Sequence, residues 1–296
     1  MLVYEQVTAP ARGGEALRGL SLQVETGAIF GLIGPAGCGK NAALRAAAGL
    51  RRLSSGRIRW HSVDLIAQKG ERRRLVCFLP AEPENGDHQS VAETAEFFSN
   101  IQGLEGLKGR SLAMESLRFA GLTELANEDV NELSRTEKRR LAIARAYIEE
   151  PELLLVEDWD YESGSGAALT GLLLRLAERG CTVLLTAERA AAVTSICSHL
   201  GRMKDGRLTA TDLVEELQER MRRTSPVEIE MAGQTEETVR RLREDAAVRS
   251  LTRRGDRIEV MLEGGADEEQ RLLRQLVAAG LPVRGFMRRP GDPDRL

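Results

Sequence analysis

Gly34-Pro35-Ala36-Gly37-Cys38-Gly39-Lys40-Asn41 decides how this chain is read. An apolar run, Ala28 to Ile33, leads into it, and an Ala-rich stretch, Asn41 to Ala48, follows. Strand, glycine loop, lysine and helix in that order make a phosphate-cradling arrangement. The glycines let backbone N–H groups turn inward. The helix N-terminus adds partial positive charge, and Lys40 is placed to reach β- and γ-phosphates. One position departs from the pattern. The residue after the lysine is ordinarily Ser or Thr, whose hydroxyl holds Mg²⁺, and here it is Asn41. Gly34 to Ala42 is therefore expected to bind a nucleotide and to use the metal poorly. The bland alternative is a glycine-rich turn that happens to precede a helix.

Composition narrows the class. With 296 residues, 42% hydrophobic and 29% charged, the chain is expected to be a soluble globular protein with one large domain, or a large and a small one. A net charge of −3 gives no electrostatic case for a nucleic-acid partner. The basic runs Arg51-Arg52, Arg72-Arg73-Arg74 and Arg139-Arg140 are expected to be solvated faces. No uncharged apolar stretch is long enough to span a membrane, and MLVYEQVT lacks the pattern of a signal peptide. The scattered Cys38, Cys77, Cys181 and Cys197 read as reduced thiols, and His61, His88 and His199 have no metal-ligand spacing.

Strand-like and helix-like segments alternate over the first ~220 residues, an α/β pattern. Strands are expected at Leu2–Val7, Leu20–Val24, Ile29–Ile33, Arg57–Trp60, Val76–Leu79, Leu153–Val156 and Val183–Thr186, with a hairpin at Lys204-Asp205-Gly206. Helices are expected at Ala42–Ala48, Val91–Ile101, Arg110–Ala120, Thr136–Tyr147, Ala168–Arg179 and Thr211–Arg222. A helical insert covers about 88–132 of a nucleotide-binding domain at 1–222. Arg222 to Pro226 reads as a linker. A small α+β module at 226–288 follows, its β-α-β-β-α-β order being the split pattern of ferredoxin-like folds. Residues 289–296 read as a loose tail.

A second set of residues carries a resemblance. Leu133-Ser134-Arg135-Thr136-Glu137 opens a helix through Ala146, and the apolar strand Leu153-Leu154-Leu155-Val156 then ends in Glu157-Asp158. In order and spacing with the glycine loop, "LSRTEKRRLAIARAYIEEPELLLVED" resembles the signature motif, helix and Walker B strand of ABC transporter nucleotide-binding domains. "GAIFGLIGPAGCGKN" is similar to their strand and Walker A loop. The resemblance covers roughly residues 1–220, and the C-terminal module looks like the extension on ABC-2 exporter ATPases. It implies a P-loop NTPase of ABC type that binds ATP and Mg²⁺. The implied partners are a transmembrane permease and a second ATP-binding subunit, identical or different. The implied place is peripheral, on the inner face of the cell membrane.

The departures from that family are specific. Its adenine-stacking aromatic aligns with about Ala11. Its Q-loop glutamine aligns with Ala81, beside Glu82. The signature LSGGQ is Leu133-Ser134-Arg135-Thr136-Glu137, where Ser134-x-x-Glu137 also reads as an ordinary capping box. The Walker B pair is transposed: Glu157 takes the metal-shell position and Asp158 that of the base, followed by Trp159. The D-loop aspartate aligns with Gly164, and the switch histidine with Glu188. Asn41 and Glu157 are the metal candidates, and Asp158 and Glu157 the candidates for chemistry.

Loss of metal ligand, base geometry and switch together implies weak hydrolysis, because phosphoryl transfer depends on positioning and charge stabilisation. Family sites are shared between two domains, so neither a homodimer nor a pair with a competent partner would hold an intact site. The resulting expectation is a structural or regulatory nucleotide-binding subunit of an export complex. The alternatives are a soluble pseudo-ATPase scaffold without transport, and an unorthodox active ATPase using Asn41 and Asp158.

Overall fold

The apolar run before the glycine loop forms β3 (Ile29–Ile33), buried along its whole length. β3 pairs in parallel with β8 (Thr182–Ala187) and β9 (His199–Lys204). β7 (Leu153–Val156) and β6 (Val76–Leu79) extend the parallel ladder, and β10 (Arg207–Leu213) forms the other edge. The order is β10-β9-β3-β8-β7-β6. Unbroken apolar strands such as Leu153-Leu154-Leu155-Val156 suit a sheet covered on both faces. The computed structural model describes residues 1–12, 15–82, 90–159, 165–224, 226–233, 235–263 and 266–288.

A second, antiparallel sheet has the order β2-β1-β4-β5, from β1 (Leu2–Arg12), β2 (Glu15–Val24), β4 (Ser55–Trp60) and β5 (Val63–Asp64). The helix after the loop, α1 (Lys40–Ala47), shares one core with both sheets: Leu44 is buried with Leu2, Tyr4, Leu32, Trp60 and Leu155. The Tyr4 hydroxyl donates to the Ala43 carbonyl at 3.0 Å, satisfying a phenol that would be costly to bury alone. α3 (Val91–Ile101), α4 (Gly106–Ala120) and α5 (Arg135–Glu149) pack around their own core, including Val91, Leu117, Leu133, Leu141 and Ile148. α6 (Ser165–Glu178) lies between β7 and β8 in the chain. The first two positions of the expected insert, 88 and 89, lie outside the described residues. All four cysteines are buried and free, and burial pushes the Cys181 thiol up to about 12.

Two expectations need correction. α2 (Lys69–Leu75) was not foreseen: KGERRRL has no apolar periodicity, and none of its residues is buried. The helix expected over Thr211–Arg222 begins later. Thr211 to Leu213 complete β10, and α7 runs Val214–Thr224. The chain divides into compact units Met1–Asp212 and Leu213–Leu296, so the boundary lies about ten residues before the expected linker. The reason is packing: α7 buries Val214 and Leu217 and touches the strand Arg257–Leu262 of the second unit.

In that unit β11 (Val227–Met231), α8 (Thr235–Glu244), β12 (Val248–Arg254), β13 (Arg257–Leu262), α9 (Ala266–Ala278) and β14 (Val283–Arg288) follow in β-α-β-β-α-β order. The sheet is antiparallel, ordered β12-β13-β11-β14. Ile229, Ile258, Val260, Leu242, Leu272 and Leu276 form its core. The expected tail, 289–296, lies outside the described residues.

Candidate nucleotide site

β3 delivers the chain into the glycine loop, and two of the loop's glycines are required by space. Gly34 (φ 151) would place a Cβ 2.4 Å from the Met203 carbonyl oxygen, and Gly39 (φ 102) one 2.6 Å from that of Ala16. Both conformations also lie where L side chains are strained. Gly37 (φ 77) faces open space. The loop thus rests against the rest of the unit at Gly34 and Gly39, while Pro35, Ala36 and Gly37 are exposed. Cys38 is buried beneath it and its carbonyl accepts from the Gly206 N–H at 2.8 Å. Lys40 begins α1, is 2% exposed, and its ammonium donates to the Pro35 carbonyl at 3.4 Å, inside the loop's own curve. Ala42 is buried beside it.

Asn41 has a defined task. Its amide Nδ2 donates to Asp158 Oδ1 at 3.0 Å, and its Oδ1 accepts from the Thr186 hydroxyl at 2.8 Å. That hydroxyl in turn accepts from the Asp158 backbone N–H at 2.9 Å. The three residues close a ring joining α1, the end of β7 and β8. Asp158 sits in the left-handed region (φ 46), which Asp tolerates better than most residues. A Ser or Thr at position 41 has too short a side chain, with one hydroxyl, to make both bonds.

Glu157 is fully buried, and its counter-charge comes from α1. Arg45 Nε lies 2.6 Å from Glu157 Oε1, without an aligned hydrogen bond on that oxygen, and Arg45 Nη2 donates to Oε2 at 2.9 Å. The Ala81 backbone N–H reaches Oε2 at 3.4 Å. Hydrogen bonding to Glu157 holds the Arg45 guanidinium above its usual value. Arg45 carries no motif and was missed in the sequence. The usable signal was a cation one helical turn after Asn41, on the face that approaches the Walker B strand.

These pairings engage the two side chains, Asn41 and Glu157, expected to hold a divalent ion. Mg²⁺ requires near-octahedral oxygen ligands, several of them waters. Here the one oxygen of the Asn41 amide is taken by Thr186 and the Glu157 carboxylate faces a guanidinium. Among the described residues no group of three or more His, Cys, Asp or Glu is placed to hold a metal. The side chains as paired do not fit Mg²⁺.

Arg139 overturns an expectation. The sequence points to a solvated face, yet Arg139 is 1% exposed. Its Nη1 donates to the Pro80 carbonyl at 2.6 Å and its Nη2 to that of Glu157 at 2.6 Å. One guanidinium from α5 therefore ties the Ala81 loop to the end of β7. A basic pair near a helix start is ordinarily solvated, which is why the sequence pointed elsewhere.

The remaining positions are more dispersed. Ser134 and Glu137 form a full capping box on α5: Ser134 N–H donates to Glu137 Oε2 at 2.8 Å, and Glu137 N–H to Ser134 Oγ at 3.3 Å. Arg135 is exposed and Thr136 half-buried at the same helix start. Glu188 is exposed directly after β8, and Ala11 is exposed near the end of β1. Ala81 is half-buried and Glu82 exposed. Gly164 lies outside the described residues.

The sequence profile described as ABC transporter matches residues 17–160, which include the glycine loop, α5, Glu157 and Asp158. Residues 17–160 form an ABC transporter ATP-binding domain. Over 280 residues the chain is 24% identical to the linearmycin resistance ATP-binding protein LnrL of Bacillus subtilis (strain 168), covering 94% of this chain and 89% of that protein. Over 194 residues it is 31% identical to the Nod factor export ATP-binding protein I of Burkholderia thailandensis, covering 65% of this chain and 64% of that one. Among solved structures it resembles cbiO1 of Clostridium perfringens, part of the cbiONQ ABC transporter complex. That match has a TM-score of 0.65 at 22% identity, over 73% of this chain and 89% of that one. The fold is thus that of ABC ATP-binding domains, and ATP is the ligand class such a domain takes.

Proposed function

We propose that this chain is the ATP-binding subunit of an ABC-type membrane export complex, holding ATP in the Gly34–Ala42 loop and hydrolysing it slowly or not at all. One observation carries the reading. The binding half of the site is kept, with Gly34 and Gly39 at close backbone approaches that leave no room for a Cβ and Lys40 at the start of α1. The chemical half is committed to internal contacts, Asn41 and Asp158 to the ring with Thr186, Glu157 to Arg45. Hydrolysis needs charge stabilisation and a positioned water at those carboxylates. Nucleotide binding relies on the loop N–H groups and the lysine.

Export is supported by the name of the Nod factor export relative, and the long alignment with the linearmycin resistance protein LnrL runs into the second unit. The sheet order β12-β13-β11-β14 with its β-α-β-β-α-β succession supports a ferredoxin-like extension of the kind on ABC-2 exporter ATPases. No helix among the described residues is long and apolar enough to cross a membrane. In this reading a permease supplies the transport path. The subunit would work on the inner face of the cell membrane, beside that permease and a second ATP-binding subunit. Ser134 to Glu137 serve mainly as the cap of α5, and Glu188 stands in the switch position without a histidine's ability to donate.

The test is a titration of the purified chain with labelled ATP beside Lys40→Ala, together with steady-state turnover of the chain and of Asp158→Asn. The reading expects binding that is lost in Lys40→Ala and negligible turnover. Turnover like that of ordinary ABC ATPases, lost in Asp158→Asn, would make the chain an active enzyme based on Asp158.

A further inference from the structure

Glu157 ends β7 with no exposure to solvent, and a buried carboxylate is retained only when a counter-charge accompanies it. Arg45 supplies that charge from a side chain that is 46% exposed, so the guanidinium bridges the buried oxygens and the surface. It lies on α1, the same helix whose first residue is Lys40. Six charges therefore meet around the loop's exit: Lys40, Arg45 and the buried Arg139 positive, Glu157, Asp158 and Glu15 negative. With Arg45 present they cancel. Without it the polyphosphate of a nucleotide would approach a site one unit negative, the situation a metal ion ordinarily relieves.

We propose that Arg45 is a built-in cation that stands in for the divalent metal at Glu157, so that the glycine loop binds ATP without Mg²⁺. The inference rests on the reading that the loop binds ATP. It goes further by assigning the site's charge balance to a residue outside every motif. Arg45 acts through Glu157, as a positioning residue. Mg²⁺ would have to displace a two-point guanidinium contact and compete with Thr186 for the Asn41 oxygen. Oε1 of Glu157, buried without an aligned donor, is the atom a metal would ligate once Arg45 is removed.

The experiment uses the full chain, Arg45→Gln, and the double variant Arg45→Gln with Glu157→Gln. Each is titrated with ATP in EDTA and in Mg²⁺, and each is melted with Mg²⁺ alone. For the parent chain the two ATP affinities should agree within about threefold, and Mg²⁺ alone should leave the melting temperature unchanged. Arg45→Gln should lose at least about tenfold in EDTA, a 1.4 kcal/mol change. It should regain that affinity in Mg²⁺, and Mg²⁺ alone should raise its melting temperature. The double variant, which lacks both charges and guards against misfolding of the single one, should bind ATP in EDTA like the parent.

A parent chain that needs Mg²⁺ by more than about tenfold, or an Arg45→Gln variant indifferent to Mg²⁺ in both assays, overturns the proposal. If no form binds ATP, the nucleotide reading itself fails. The melting response of Arg45→Gln to Mg²⁺ alone still reports separately on the charge exchange.

Discussion

Arg45 and Glu157 form a two-point ion pair across 112 residues of sequence, with the carboxylate fully buried and the guanidinium half exposed. The pair joins the helix that follows the phosphate loop to the strand that carries the Walker B carboxylates. It makes the buried carboxylate part of the fold.

Breaking the pair should therefore cost stability. Removing one partner of a fully buried pair costs about 3–5 kcal/mol. Because Arg45 is half in water, solvent can reach the vacated place, and the expected cost of Arg45→Met is lower, about 1–2 kcal/mol. Adding Glu157→Gln should recover most of the loss. Urea unfolding of the two single variants and the double closes the cycle, and additive losses would show that the pair is not coupled.

The loop glycines should separate into two classes. Gly34→Ala and Gly39→Ala force a Cβ into a backbone oxygen at 2.4 and 2.6 Å and should unfold the loop or the protein. Gly37→Ala meets only open space, so its cost is the positive φ, roughly 1–2 kcal/mol. Melting temperatures of the three variants check the order.

Arg139 should prove structural. Arg139→Leu strips the donors from the Pro80 and Glu157 carbonyls, and stability should fall by about 2–4 kcal/mol. Arg139→Lys, which lacks the fork, should rescue only part. A solvated face would give a change within about 0.5 kcal/mol.

The capping box gives a pH-dependent signature. The hydrogen bond from the Ser134 hydroxyl, then its backbone N–H, holds the Glu137 carboxyl below its ordinary value. A lowered folded pKa contributes stability above the unfolded carboxyl range, and that contribution disappears as pH falls through the folded value. Ser134→Ala should cost about 1 kcal/mol at neutral pH. The gap to the parent chain should narrow below about pH 4. A gap independent of pH would remove Glu137 from the cap.

The legible parts of this molecule were those with local causes. Ile29–Ile33, the glycine loop and α1 follow one another in sequence, and each has its own backbone or burial signature. Ser134 and Glu137 are three residues apart and cap the helix they begin. The β-α-β-β-α-β order of the second unit followed from alternating periodicities and the Gly255 turn. What escaped was non-local. Nothing in Arg45 or Arg139 tells which buried oxygens fold against them, and both look like ordinary helix-surface cations. The role of Asn41 was half visible. Its missing hydroxyl was plain, but the ring with Thr186 and Asp158 spans 145 residues. α2 formed without an apolar face, and α7 belongs to the second unit, where it touches β13.

The most direct test of the proposal that this site holds nucleotide without consuming it is to recover what is bound. The purified chain is loaded with labelled ATP in Mg²⁺, incubated, separated from free nucleotide and denatured, and the released label is identified. The account predicts intact ATP from the parent chain and no label from Lys40→Ala. Recovery of ADP as the main bound species would contradict it.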